Sequence, residues 1–273
     1  MIKSILLHIG GDPSMEARLQ VALDIARATG AHLTCCQAVS FEVYAPGDFY
    51  GNAMAAAMPR IREAADAVRA KVEASLAKED VPWTWQFFEG RAEDRLLEQS
   101  PLHDVIVIGP DDIGAEGARR ASDMAGELAL KAAVPVLVVP QYQKGLDISA
   151  PILVAWNGSA EACVALRAGV PLLKLASNVI LATVEEQSKR KRHDFPPIEG
   201  AQYLSRHGIE AECVEIERGK AKISDTLFSE AQRRECSMIV MGAYGHSRFA
   251  ERLLGGVTRR SLTDPQMPIF MAH

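Results

Sequence analysis

Asp104-Val105-Ile106-Val107-Ile108-Gly109 recurs 133 positions later as Ser237-Met238-Ile239-Val240-Met241-Gly242. Each is a short β-favouring apolar run that opens on a polar residue and stops at a glycine. The same offset carries Pro135-Val136-Leu137-Val138-Val139 onto Pro268-Ile269-Phe270-Met271-Ala272. Nearer the start of each half, Ile5-Leu6-Leu7 matches Ile152-Leu153-Val154. Both of these runs lead through a polar turn into a helical period, over 14–29 and 159–175, and then into another apolar stretch, over 31–39 and 178–184. Self-similarity at this spacing means one structural unit used twice. The boundary falls in 141–150, where Gly145 and Ser149 precede Pro151, giving expected domains at 1–145 and 150–273.

Within each half, Val, Ile and Leu runs too short for helices alternate with helical periods, the pattern of a parallel sheet covered by helices on both faces. In the first half the strands are expected at about 2–8, 31–39, 82–88, 104–108 and 135–139. A helix is expected from Pro59 to Asp80, where Ile61, Ala65, Val68, Val72 and Leu76 form one apolar stripe. The natural topology is α/β and flavodoxin-like, with strand order 3-2-1-4-5. In such sheets ligands bind beyond the carboxyl ends of strands 1 and 4, so the residues just after those strands carry the chemistry.

Composition narrows the function classes. Of the 273 residues 48% are hydrophobic and 24% charged, enough apolar surface for two cores. A net charge of −5 gives no broad electrostatic footprint for nucleic acid or an anionic membrane, so neither is expected as a partner. The first apolar run is broken by His8, Gly10 and Gly11, which is no signal peptide, and no run of eighteen apolar residues occurs. The expected location is the cytoplasm. Five cysteines, an odd number with only Cys35 and Cys36 adjacent, fit reduced core thiols, and strand alternation sends that pair to opposite faces. No metal site is expected.

After strand 4 of the second half comes Gly242-Ala243-Tyr244-Gly245, then nine residues, then Gly255-Gly256-Val257-Thr258 opening a helix. Glycines admit a close oxyanion, and a helix N-terminus supplies N–H donors and partial positive charge. The G-x-x-G, nine residues, G pattern resembles the nucleotide loop of universal stress proteins. Ala155-Trp156-Asn157-Gly158-Ser159 is similar to that family's strand end followed by Asp-Gly-Ser. The resemblance covers both halves and implies two tandem adenine-nucleotide alpha hydrolase-like domains. It also implies ATP, ADP or AMP as ligand, with or without Mg. Adenine and ribose would lie against Ala155, Trp156, Asn157 and Val184. Ribose and phosphates would lie against Met241, Gly242, Gly245, His246, Gly255, Gly256, Val257 and Thr258. Asn157 departs from the usual Asp and Gly256 from the usual Ser or Thr.

The offset places Gly109, Asp112, Ser122 and Asp123 where the second half has Gly242, Gly245, Gly255 and Gly256. Carboxylates, with Asp111 nearby, would repel a phosphate, so the first-half loop reads as degenerate. Asp12 reads as the N-cap of the first helix, with Pro13 at its first position, or as a ligand contact. The segment Phe41 to Met58 is expected to pack between the halves or line an apolar pocket, and Lys189-Arg190-Lys191-Arg192-His193 reads as a solvated loop or an acidic-partner site.

The resemblance implies a stress-response sensor or regulator. It also implies that the two fifth strands, 135–139 and 268–272, pair edge to edge as an intramolecular pseudo-dimer, with a further homodimer open. Two alternatives stand beside it. One is a nucleotide-free scaffold or apolar-ligand binder. The other is a weak ATPase or autokinase using His246, Ser247 or Thr258, although no Walker lysine, metal helix or nucleophile elbow is present and no catalytic residue is assigned.

Overall fold

The computed structural model describes residues 1–40, 50–110, 123–184, 196–243, 256–263 and 265–273, of which 50–57, 123, 256, 259, 260 and 263 are described in backbone only. The first half runs β1 (Ser4–Ile9), α1 (Met15–Thr29), β2 (His32–Val39), α2 (Tyr50–Leu76), β3 (Trp83–Glu89), α3 (Ala92–Gln99), β4 (Val105–Ile108), α4 (Asp123–Lys131) and β5 (Val136–Val138). The second half repeats it: β6 (Ile152–Ala155), α5 (Ala160–Leu173), β7 (Val179–Val184), α6 (Pro197–Arg206), β8 (Ala211–Ile216), α7 (Ile223–Arg233), β9 (Met238–Gly242), α8 (Gly256–Thr263) and β10 (Ile269–Ala272).

All ten strands form one sheet in the order β3-β2-β1-β4-β5-β10-β9-β6-β7-β8. Each half is parallel within itself and has the order 3-2-1-4-5. The halves meet where β10 pairs antiparallel with β5, Ile269 opposite Val138, Phe270 opposite Leu137 and Met271 opposite Val136. These residues are wholly buried, as apolar central strands covered on both faces must be.

Side-chain alternation divides the core into two layers. Ile5, Leu7, Cys35, Leu137, Val154 and Phe270 belong to one. Leu6, Cys36, Val138, Leu153, Met241 and Ile269 belong to the other. Cys35 and Cys36 therefore face opposite ways, and burial pushes each thiol up to about 12, which removes thiolate chemistry at neutral pH.

One element differs from the sequence reading. The helix expected from Pro59 to Asp80 starts at Tyr50 and ends at Leu76, with Pro59 inside it. The alanines at 53 and 55–57 have high helix propensity, so the helix continues upstream despite the backbone bond that proline cannot make. The expected stripe holds: Ala65, Val72 and Leu76 are buried, and Val68 packs on the same layer. Part of the expected insertion is therefore helix, while 41–49 lies outside the described residues.

Because Phe270 closes the seam from the second half, Phe270→Ala is expected to cost about 3–5 kcal/mol in urea unfolding. The cavity should also be felt across the seam. Amide exchange at 136–138 in the first half should accelerate along with that at 269–271, whereas independent halves would confine the change to β10.

Candidate functional site

In sheets of this order ligands bind beyond the carboxyl ends of strands 1 and 4, which in the second half are β6 and β9. Ala155, Val184 and Val257 are half-buried and pack against the core layer that contains buried Met241. Ala155 stands beside Met241 across the β6–β9 ladder and beside Ala182 across β6–β7, so these small and apolar side chains share one face at the strand ends. Such a face suits a flat apolar ring.

Trp156 is placed differently from its expectation. Its N–H extends the ladder to Ala182 O at 2.8 Å, but alternation sends the indole to the opposite layer, where it is 4% exposed. A Cβ at Gly200 of α6 would stand only 3.2 Å from the indole Cζ2, so α6 lies directly against the ring. The Trp156 side chain is core, and only its backbone faces the crevice.

The turn that follows is built from local hydrogen bonds. Asn157, exposed, accepts the Ser159 N–H on Oδ1 at 3.1 Å. Ser159 caps α5 by accepting the Ala162 N–H at 3.2 Å. Gly158 between them has φ 69°, a conformation that a side chain would strain. The result is an Asx turn feeding an N-capped helix whose first turn faces the end of β9.

Gly242 has a steric reason to be glycine. A Cβ there would fall 2.6 Å from the Ala162 nitrogen and the Glu161 carbonyl carbon, both backbone. The strand end thus abuts the first turn of α5. In that same turn the Glu161 Oε2 atom is buried and makes no hydrogen bond. Thr258 is buried in α8, and Gly256 opens that helix. Gly245, His246, Ser247 and Gly255 lie outside the described residues, as does the 189–193 run.

The equivalent crevice of the first half contains a feature that the sequence reading missed. Arg18 of α1 is 1% exposed and reaches back to the end of β1, where its Nε donates to His8 O at 2.7 Å. Its two terminal nitrogens donate to the Asp12 carboxylate, to Oδ1 at 2.6 Å and Oδ2 at 2.5 Å. A Cβ at Gly109, just past β4, would come within 2.9 Å of the guanidinium and 2.8 Å of Ser14 Cβ. The guanidinium therefore lies between the carboxyl ends of β1 and β4.

Asp12 is not the N-cap expected of it. The residue before the helix is Ser14, whose N–H donates to Asp12 Oδ1 at 3.0 Å, and Asp12 is the partner of Arg18. The available signal was Arg18 itself, a charge set among Met15, Ala17, Leu19 and Ala22 on a buried helix. Asp111, Asp112 and Ser122 lie outside the described residues, and Asp123 is described in backbone only.

Electrostatics follow from this packing. Burial is the largest single influence on Asp12 and opposes ionisation, but the hydrogen bonds and charge of Arg18, helped by His8 and the Ser14 N–H, together hold the carboxyl below its usual range. Burial first, and then the Arg18 charge, lower His8 to about 3, against a smaller opposing pull from Asp12. His8 is thus neutral, and its Nδ1 is buried without a partner. Among the described residues no cluster of three or more His, Cys, Asp or Glu could hold a metal ion.

Comparison with known proteins places this geometry. The Universal stress protein family profile matches residues 1–140 and again 150–273. The chain belongs to the universal stress protein family. Solved structures agree on the fold. A universal stress protein from Archaeoglobus fulgidus, 16% identical, superposes with a TM-score of 0.73 over 98% of this chain and 95% of its own. A putative universal stress protein from Pseudomonas aeruginosa, 17% identical, gives 0.64 over 99% and 93%. No curated protein matches the sequence. For this universal stress protein, then, the α/β unit is the family's, present twice in the chain.

Two outcomes are expected from the packing. Gly242→Ala should destabilise the protein by about 3 kcal/mol, because the new Cβ meets backbone that cannot move aside; chemical unfolding reads it. The second concerns acid. A His8 value depressed to about 3 means that the unfolded chain takes the proton first. Stability is therefore full above pH 6.5 and falls as pH drops towards 3. Asp12, also depressed, adds a loss below its unfolded value of about 4, in the same direction. Between pH 7.5 and 5 the wild type should lose about 2 kcal/mol in urea titrations, and His8→Met should flatten that slope.

Proposed function

We propose that the second half of this universal stress protein binds an adenine nucleotide, ATP or its relatives ADP and AMP, and that the chain works as a stress sensor or regulator in the cytoplasm. In this reading 1–145 and 150–273 are two domains joined as a covalent pseudo-dimer through β5 and β10, the first with a degenerate phosphate loop. The observation that carries it is the shared face of Ala155, Ala182, Val184 and Met241 at the strand ends, set before the capped N-terminus of α5. Adenine and ribose lie on that face and beside Asn157. The phosphates take N–H donors from the loop between Gly242 and Gly256 and from the start of α8, with His246 and Thr258 alongside.

Three adjustments follow from the geometry. Trp156 contributes backbone, not its ring. Gly242 admits the α5 turn, which brings that helix N-terminus to the phosphates. The unpartnered Glu161 Oε2 in that turn suits a Mg ion, which needs only one or two protein carboxylates when phosphates supply its other ligands.

Calorimetric titration of nucleotide-stripped protein with ATP, with and without Mg, tests the reading. The expected result is saturable binding that Mg strengthens and that Gly245→Asp weakens by about tenfold or more, since a carboxylate beside phosphate costs at least 1.4 kcal/mol. Absence of heat with ATP, ADP and AMP alike would overturn it and favour a nucleotide-free scaffold.

A further inference from the structure

We propose that the first-half crevice is a self-ligated oxyanion site, in which the Asp12 carboxylate is the built-in occupant of the position an exchangeable phosphate or carboxylate would otherwise take. Self-ligation extends the nucleotide reading of the second half to its sister. The test below uses no nucleotide, so a failure of either idea is distinguishable from a failure of the other.

The ligand set around Asp12 is that of an oxyanion pocket. Oδ1 accepts from the Ser14 N–H at 3.0 Å and from Arg18 at 2.6 Å, and Oδ2 accepts from Arg18 at 2.5 Å. A backbone donor at the mouth of a helix together with a bidentate guanidinium is how proteins commonly hold phosphate or carboxylate. The arginine is anchored from behind by His8 O and is 1% exposed, so it has no route to bulk water as an alternative. His8 beside it is also buried, with Nδ1 unpartnered, and it stays neutral, so Asp12 is the group that balances the guanidinium.

The position is the one that topology reserves for a ligand. Arg18 lies between the end of β1 and Gly109 just past β4, at the point where α/β sheets of this order place ligands. The glycines fit around it: a Cβ at Gly10 would come within 2.6 Å of Asp12 Oδ2 and 3.1 Å of the guanidinium.

The second half keeps the turn and drops the ions. Asn157 accepts from Ser159 as Asp12 accepts from Ser14, which aligns the two turns. In that alignment Asp12 becomes neutral Asn157, and Arg18 becomes Cys163. At these two aligned positions one half thus carries a tethered anion with its own cation, and the other carries neither.

Removing the tethered anion should open the pocket. Asp12→Ala leaves Arg18 buried and unpaired, and its melting temperature in chloride should fall by about 5–15 °C. Formate or inorganic phosphate at the same ionic strength should then restore much of the loss, because either ion can refill the vacated position. Formate should not raise the melting temperature of the wild type, whose pocket is occupied, and phosphate should raise it only as far as the second-half loop binds phosphate. Asp12→Ala/Arg18→Met should be more stable than Asp12→Ala and should respond to either ion no more than the wild type does.

An Asp12→Ala protein as stable as the wild type, or one that responds alike to formate, phosphate and chloride, would overturn self-ligation. So would an equal rescue of the double variant. Should Asp12→Ala fail to fold, Asp12→Ser also removes the carboxylate and vacates most of its position. The same anion-specific gain is expected of it, and its absence overturns the proposal.

Discussion

Three residue pairs join this molecule into one sheet. Val138 with Ile269, Leu137 with Phe270, and Val136 with Met271 form an antiparallel ladder between strands that would otherwise be two bare edges. All six side chains are buried, so the seam is also the middle of the core. Its direction sets everything outward from it. Because each half is parallel and the seam is antiparallel, the carboxyl ends of the first-half strands point one way and those of the second half the other. The two crevices therefore open at opposite ends of the sheet. The edges that remain are β3 and β8. β8 exposes Glu212 and Glu215 beside half-buried Val214 and Ile216, and such edge charges discourage further pairing.

Given that frame, the halves diverge by a handful of side chains at one place. Both use a serine just before a helix, an Asx turn ahead of it and a glycine after the fourth strand where helix and strand nearly touch. In the first half the turn residue is charged and the helix answers with a buried arginine. Breaking such a pair is costly, since either ion alone is left buried, and this holds α1 against β1 and β4. In the second half the turn residue is neutral and exposed, and the strand ends present an apolar face. Duplication supplied two equivalent turns, and they differ in charge: Asp12 with Arg18 in the first half, Asn157 with Cys163 in the second.

The strands were legible because their signal is local. Each of the five first-half strands lies within about two residues of its expected span, and the order follows from general rules of α/β connection. Failures occurred where a residue's role depends on a distant neighbour. Trp156 sits in a motif position that suggests ligand contact, yet its ring is claimed by Gly200 of α6, far along the chain. Asp12 followed by Pro13 looks like a helix start, and only the folded geometry reveals that Arg18 turns back to it. At Tyr50–Leu76 two local rules conflict, alanine propensity against proline, and propensity prevails. Of the residues read as a nucleotide site, Ala155, Met241 and Val184 lie on one face of the sheet at the strand ends, and Val257 packs against the same core layer. Gly245, His246 and Gly255 remain readings from the sequence.

In the proposed function the second half accepts a nucleotide and the first half is closed to it. Photo-crosslinking with an azido-adenine nucleotide, followed by peptide mapping, tests this most directly. Label confined to peptides around 155–158, 184 and 241–258, and competed away by unmodified nucleotide, is the predicted result. Competable label on peptides around 8–18 or 109–123 would contradict it.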